Sequence, residues 1–249
     1  MTHSRKGLWI VGYGSLIYKA PIHYQYRVPG LIHGFIRRFW QSSSDHRGTP
    51  ASPGRVSTII PYEDIVSNPS ILQDTKIYLH LAQDHELTKD DLTILATAYY
   101  IPPEKVAEVV EYLDEREQDG YTTHKIEVHL MPPSPMVDDQ YMEVTQVLNE
   151  TLPLHEDHHR NMRFYNLQST VYIGTLQNES FIGPEDINST AKIIAKNVGP
   201  SGPNYEYLKK LYDCIERDLV TFKGQYHLRH RDHYLIDLME KTEKLRVAA

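Results

Sequence analysis

The stretch Leu8-Trp9-Ile10-Val11-Gly12-Tyr13-Gly14-Ser15-Leu16 carries the strongest fold signal in the chain. Its apolar run, closed off by glycines, predicts a short buried strand over 8–13. Two glycines around Tyr13 let the backbone turn sharply and let a ligand approach the main chain. The successive N–H groups of Gly14, Ser15 and Leu16 can then converge on a carboxylate or on a developing oxyanion. A plain tight turn after an N-terminal strand is the structural alternative.

Beyond this strand, the hydrophobic pattern predicts further strands at 31–41, 55–61, 92–101, 121–131 and 169–176. Pro103-Glu104 opens a helix whose Val106, Val109, Val110 and Leu113 form an apolar stripe, and Gly120 suits its end. Helices follow at 184–197, 204–222 and 230–246. Strands early and helices late give an α+β fold, a small, curved, mixed sheet or barrel with helices packed against it. Residues 1–249 read as one domain with polar surface insertions near 63–91 and 132–168. The Ser-, Gly-, Pro- and His-rich segment 42–54 is too long for a mere connector, which points to function.

Composition narrows the function classes. The chain has 249 residues, 40% apolar and 24% charged, enough to bury a core. Its net charge of −7 and the lack of a basic block exclude a nucleic-acid surface, so an anionic substrate must be met by a few local arginines. Eighteen tyrosines against five phenylalanines favour half-buried ring positions with a polar end, as in a polar pocket. The apolar run after Met1–Gly7 is too short for a signal peptide or membrane span, so no membrane partner is expected. The single cysteine, Cys214, sits mid-helix, fits a reducing compartment and reads as buried and inert. Gly12-x-Gly14 lacks a third glycine at Ile17, and Ser15 is in no Gly-x-Ser-x-Gly elbow, so dinucleotide binding and serine hydrolysis fail. His155, His158, His159 and His227, His230, His233 match no metal-ligand spacing; neither a metal nor a cofactor is expected.

A second segment, Tyr112-Leu113-Asp114-Glu115-Arg116-Glu117-Gln118-Asp119-Gly120-Tyr121, gathers carboxylates at a helix C-terminus, where they oppose the dipole. A solvated charged helix end is the structural alternative to a catalytic carboxyl there. Arg38, Arg47 and Arg55 are candidates for holding substrate carboxylates, since a guanidinium meets a carboxylate in bidentate fashion. Each such arginine is more often a surface or structural ion pair. Tyr121 and Tyr205 can line a pocket or pack in the core.

Together these segments resemble the ChaC-type γ-glutamylcyclotransferases, most of all the fungal cytosolic members. Three more stretches agree: Gly34-Phe35-Ile36-Arg37-Arg38-Phe39-Trp40; Asp45-His46-Arg47-Gly48-Thr49-Pro50 with Pro53-Gly54-Arg55; and Gly199-Pro200-Ser201-Gly202-Pro203-Asn204-Tyr205-Glu206-Tyr207-Leu208. The resemblance implies that Tyr13, Gly14, Ser15 and Leu16 hold a γ-glutamyl group and that Glu117 is the acid/base. It also implies a lyase that cleaves glutathione into 5-oxoproline and Cys-Gly without a cofactor. The expected protein is a cytoplasmic monomer or weak homodimer, with the nucleus also open to it. Two alternatives stay open: other γ-glutamyl amino acids or amines as substrates, and a non-catalytic small-molecule binder on the same scaffold.

Overall fold

The computed structural model describes residues 7–116, 122–131, 140–157, 162–221 and 231–247. Five apolar-rich strands and one short edge strand build the main sheet: β1 (Leu8–Gly12), β2 (Tyr26–His33), β5 (Thr93–Ile101), β6 (Thr122–Leu130), β7 (Leu154–Asp157) and β8 (Met162–Ile173). Their spatial order is β1-β5-β2-β6-β8-β7, with each neighbouring pair antiparallel. The sheet curls until β1 and β8 have Cα atoms within 8 Å of each other. Alternate side chains of these strands fill the inside of the curl, including Trp9, Val11, Val28, Ala98, Val128 and Val171. β5 is buried at all but its first position because the opposite face is covered too. Helix α3 (Val106–Arg116) lays Val109 and Leu113 on Ile10 and Ile101 there, as its apolar stripe predicts.

The long strand expected over 31–41 is two strands in different sheets. Gly34, with φ +77°, makes the corner between β2 and β3 (Phe35–Ser43), a conformation that other residues adopt at a cost. Its N–H donates to Leu92 and its carbonyl accepts from Tyr62, which pins the bend. Strand β3 then pairs with β4 (Gly54–Pro61) as a separate ribbon.

Both segments expected as surface insertions contribute to the core. Within 63–91, helices α1 (Tyr62–Ser67) and α2 (Pro69–Tyr78) bury Ile65 and Ile71 against Trp40 and Ile60 of the ribbon. Asn68 caps α2, accepting hydrogen bonds from the N–H groups of Ser70 and Ile71. Within 132–168, helix α4 (Tyr141–Thr151) buries Val144 and Leu148, and much of β8 lies there as well. Their polarity comes from outward faces; the inward positions are few but apolar. The last three helices, α5 (Ile187–Lys196), α6 (Asn204–Thr221) and α7 (His233–Val247), form a layer over Phe39, Leu95 and Ile17. Cys214 on α6 is half-buried at the edge of this cluster rather than buried.

Candidate active site

After β1 the chain turns at Gly14 into a single 3₁₀ turn, Ser15–Ile17. The first N–H groups of such a turn have no partner inside it. The turn is fixed from several sides. Tyr99 donates its hydroxyl to the carbonyls of Leu16 (2.8 Å) and Ile17 (3.1 Å). Burial pushes that phenol up to about 12. Tyr13 donates its hydroxyl to the Tyr172 carbonyl at 2.7 Å, tying β1 to β8 across the mouth of the curl. Behind the loop, Arg37 is fully buried, and its Nε donates to the Tyr13 carbonyl at 3.1 Å. Burial disfavours the Arg37 charge, and Asp232, at 3.1 Å, opposes that loss.

Two adjoining cavities open on this loop. The first, about 320 Å³, lies between β1 and β8 under α3, and Gly12, Tyr13, Gly14, Ser15 and Leu16 all line it. The second, about 690 Å³, is bounded by the 42–47 segment, Tyr18, Lys19, Arg116 and residues 177–180. Ser15 and Tyr207 line both. Arg116, the last residue of α3, donates from Nη2 to Ser15 Oγ at 2.9 Å and from Nη1 to the Lys19 carbonyl at 3.2 Å. Arg47 faces the second cavity, with its guanidinium 5.7 Å from the centre of the Tyr207 ring and Nη1 donating to the Pro203 carbonyl at 3.0 Å. Burial pushes the Tyr18 phenol above its ordinary value; Tyr207 adds to the rise, and the Arg47 and Arg116 cations oppose it. The pair of cavities offers main-chain donors, hydroxyls and guanidinium groups to a small anionic ligand with two ends.

The model of the ChaC-like protein family matches residues 8–245. This chain belongs to the ChaC-like family. It is 48% identical to the glutathione-specific gamma-glutamylcyclotransferase of Saccharomyces cerevisiae over 247 residues, 99% of this chain and 100% of that one. It is 33% identical to the protein of the same name in Schizosaccharomyces pombe, over 94% of this chain and 95% of that one. The selenomethionine-labelled crystal structure of the glutathione-specific yeast cyclotransferase superposes with a TM-score of 0.80 at 46% identity, covering 98% of this chain and 99% of that one.

Within this ChaC-like chain the structure brings together some of the residues singled out from the sequence and separates others. Tyr13, Gly14, Ser15 and Leu16 share the wall of the first cavity, and Arg47 stands in the second. Arg38 lines neither. Its Nε donates to Asp74 at 2.6 Å and its guanidinium lies 4.6 Å from the Tyr234 ring centre, so it is a buried strut between α2 and α7. Arg55 also lines neither, because Glu185 takes its Nε and Nη2 at 2.9 and 2.7 Å. Burial works against the Glu185 charge, yet the Arg55 and Thr190 hydrogen bonds hold its carboxyl below the usual range. Tyr205 points away, its hydroxyl on Glu243 and its ring under Arg246 at 4.2 Å. Glu117 and Tyr121 lie outside the described residues.

Sequence reasoning passed over Tyr207, Ser57, Tyr18 and the role of Arg116. For Tyr207 a signal exists: Tyr207, Leu208, Leu211 and Ile215 repeat at helical spacing and are buried together, which puts Tyr205 on another face. Among the described residues no group of three or more His, Cys, Asp or Glu side chains is placed to hold a metal ion. Among the same residues no helix is long and apolar enough to cross a membrane.

Proposed function

We propose that this protein is a glutathione-specific γ-glutamylcyclotransferase, in which Glu117 is the acid/base and the Gly12–Leu16 loop holds the γ-glutamyl group. The observation that carries the reading is the Arg116–Ser15 hydrogen bond at 2.9 Å, which ties the residue preceding Glu117 to the glycine loop. The relatives' names and the near-complete coverage support the substrate.

The chemistry needs no outside nucleophile. The α-amine of the γ-glutamyl group attacks its own γ-carbonyl carbon, closing a five-membered ring, and the amide C–N bond then breaks. Glu117 takes one proton from the ammonium and gives it to the leaving nitrogen; the ring nitrogen then loses its second proton and the released amine gains one through solvent, which yields 5-oxoproline and Cys-Gly. A carboxyl in a partly dry pocket can serve both transfers in sequence. Holding the amine in attack geometry supplies several kcal/mol of the barrier. In this arrangement the γ-glutamyl end occupies the cavity beside the loop. The Cys-Gly end occupies the adjoining one, where Lys19, Arg47 and Arg116 offer cations to its carboxylate. We place the enzyme in the cytoplasm, with the nucleus also open to it, acting as a single-domain monomer or weak homodimer.

Incubation with glutathione and amino-acid analysis of the products tests this directly: 5-oxoproline and Cys-Gly in equal amounts are expected. Free glutamate in place of 5-oxoproline would mean hydrolysis, and no turnover would favour a binding protein. Because the nucleophile is tethered to the substrate, activity is expected to survive exhaustive chelation. Loss with EDTA that zinc restores would show a metal requirement.

Specificity follows from the second cavity. A charge-assisted contact to the Cys-Gly carboxylate contributes about 1.5–3 kcal/mol, roughly tenfold to over a hundredfold in kcat/KM. The expected result is a preference of at least about tenfold for glutathione over γ-glutamylalanine. Equal efficiencies would assign the enzyme to γ-glutamyl amino acids generally.

A further inference from the structure

We infer that the Tyr207 hydroxyl is a catalytic hydrogen-bond donor to the γ-carbonyl oxygen, aimed by Ser57, at the junction of the two cavities. The inference rests on the cyclotransferase reading and goes beyond it by assigning a group to the oxyanion.

Tyr207 and Ser15 are the two residues shared by both cavities. If the γ-glutamyl end fills one cavity and the dipeptide end the other, the scissile amide lies where they meet. Tyr207 is buried on α6 with its ring edge-on to Phe39 and to Tyr18, so its position is set by packing and not by solvent. Its hydroxyl is held by a residue from β4. The Ser57 N–H donates to Tyr207 Oη at 3.3 Å, and the two hydroxyls lie 2.8 Å apart. The phenol oxygen accepts the Ser57 N–H, and in the hydroxyl pair either oxygen can be the donor, so Ser57 sets where the phenol lies. The Arg47 guanidinium, 5.7 Å from the ring centre, sets a positive charge beside this phenol, which favours donation over acceptance.

Gly14 supplies the second half of the geometry. A Cβ built there would stand 2.8 Å from Ser57 Oγ and 3.2 Å from Tyr207 Oη, so the hydroxyl pair packs directly against the glycine and shares the wall of the first cavity with it. A carbonyl oxygen bound in that cavity beside Gly14 meets the phenol on the same wall. As the ring closes, that oxygen becomes negative, and a preorganised donor in a buried site acts mainly at this stage. The loop amides are then left for the substrate's α-carboxylate.

Tyr207→Phe keeps the ring and removes only the donor. The expected result with glutathione is a fall in kcat of about 10²–10³-fold with KM within about threefold of wild type. Ser57→Ala keeps the phenol but loses the hydroxyl partner that aims it, and is expected to lower kcat by about three- to tenfold at unchanged KM. This second variant carries the test if the Phe protein does not fold. A structural role alone would lower the melting temperature and leave kcat in place. Wild-type kcat in a folded Tyr207→Phe protein, or in Ser57→Ala where only that variant folds, overturns the inference. A wild-type protein that releases no 5-oxoproline from glutathione would instead sink the cyclotransferase reading itself.

Discussion

Glu117→Gln is expected to lower 5-oxoproline release from glutathione by about 10⁴-fold, the upper end for loss of a general acid/base, because one group acts twice. Gln preserves size and hydrogen bonding but cannot exchange a proton at neutral pH. Substrate affinity is expected to stay near wild type, since the charged ends of the tripeptide are met by other groups. The acidic cluster supplies its own controls. Glu115→Gln changes a neighbouring carboxyl and is expected to keep most activity. Asp114 is the stricter control, because it accepts a hydrogen bond from Tyr172, a residue lining the first cavity. Asp114→Asn preserves an acceptor there and is expected to cost less than about tenfold. A ranking in which Asp114→Asn is the crippled variant would move the acid/base role to that residue. Steady-state rates on the three proteins, with binding measured on each, decide the matter.

Gly14→Val is expected to abolish turnover while leaving the fold largely intact. The Cβ alone would press on Ser57 Oγ at 2.8 Å, and the two further methyl groups have only the cavity or the Ser57–Tyr207 pair to occupy. Overpacking of this kind costs about 1–3 kcal/mol of stability, which a thermal melt can register without unfolding the protein at room temperature. The loss of activity has a separate origin: the space beside the main-chain donors is filled. Ser15→Ala is expected to be milder, about tenfold or less, since the Ser15 N–H remains and only the hydroxyl that accepts from Arg116 is lost. A folded Gly14→Val protein with normal kcat would remove the loop from the site.

The elements that could be read from the chain are those whose signal is local. The apolar runs of β1 and β5, the alternating inward positions of β6 and the 3.6-residue stripe of α3 each specify their own geometry. The helix expected over 184–197 is α5, which Asp186 caps by an equally local hydrogen bond. The bend at Gly34 was harder to read, because apolar residues continue on both sides of it and only the partners of each half differ. Residues 63–91 and 132–168 were misread for a related reason. Most of their positions are polar, while Ile65, Ile71, Val144 and Leu148 face inward on helices with few apolar residues each.

The site divides along the same line. By itself the sequence determined that a glycine loop follows β1, that a carboxylate cluster follows α3, and that arginines and tyrosines are available to an anionic ligand. Which of them meet was decided by tertiary structure. Arg38 and Arg55 carry the same guanidinium as Arg47, but Asp74 and Glu185 lie within reach of the first two and hold them away from the cavities. Tyr205 and Tyr207 differ by two helical positions, and only the second faces Ser57, 150 residues earlier in the chain. Arg116 reaches Ser15 across 101 residues because β5, which α3 follows, pairs with β1 and α3 packs back over both strands. Residue type and spacing specify what a group can do, but a pocket also depends on which strands come together when a sheet closes, and that is settled by the summed burial of side chains far apart in sequence.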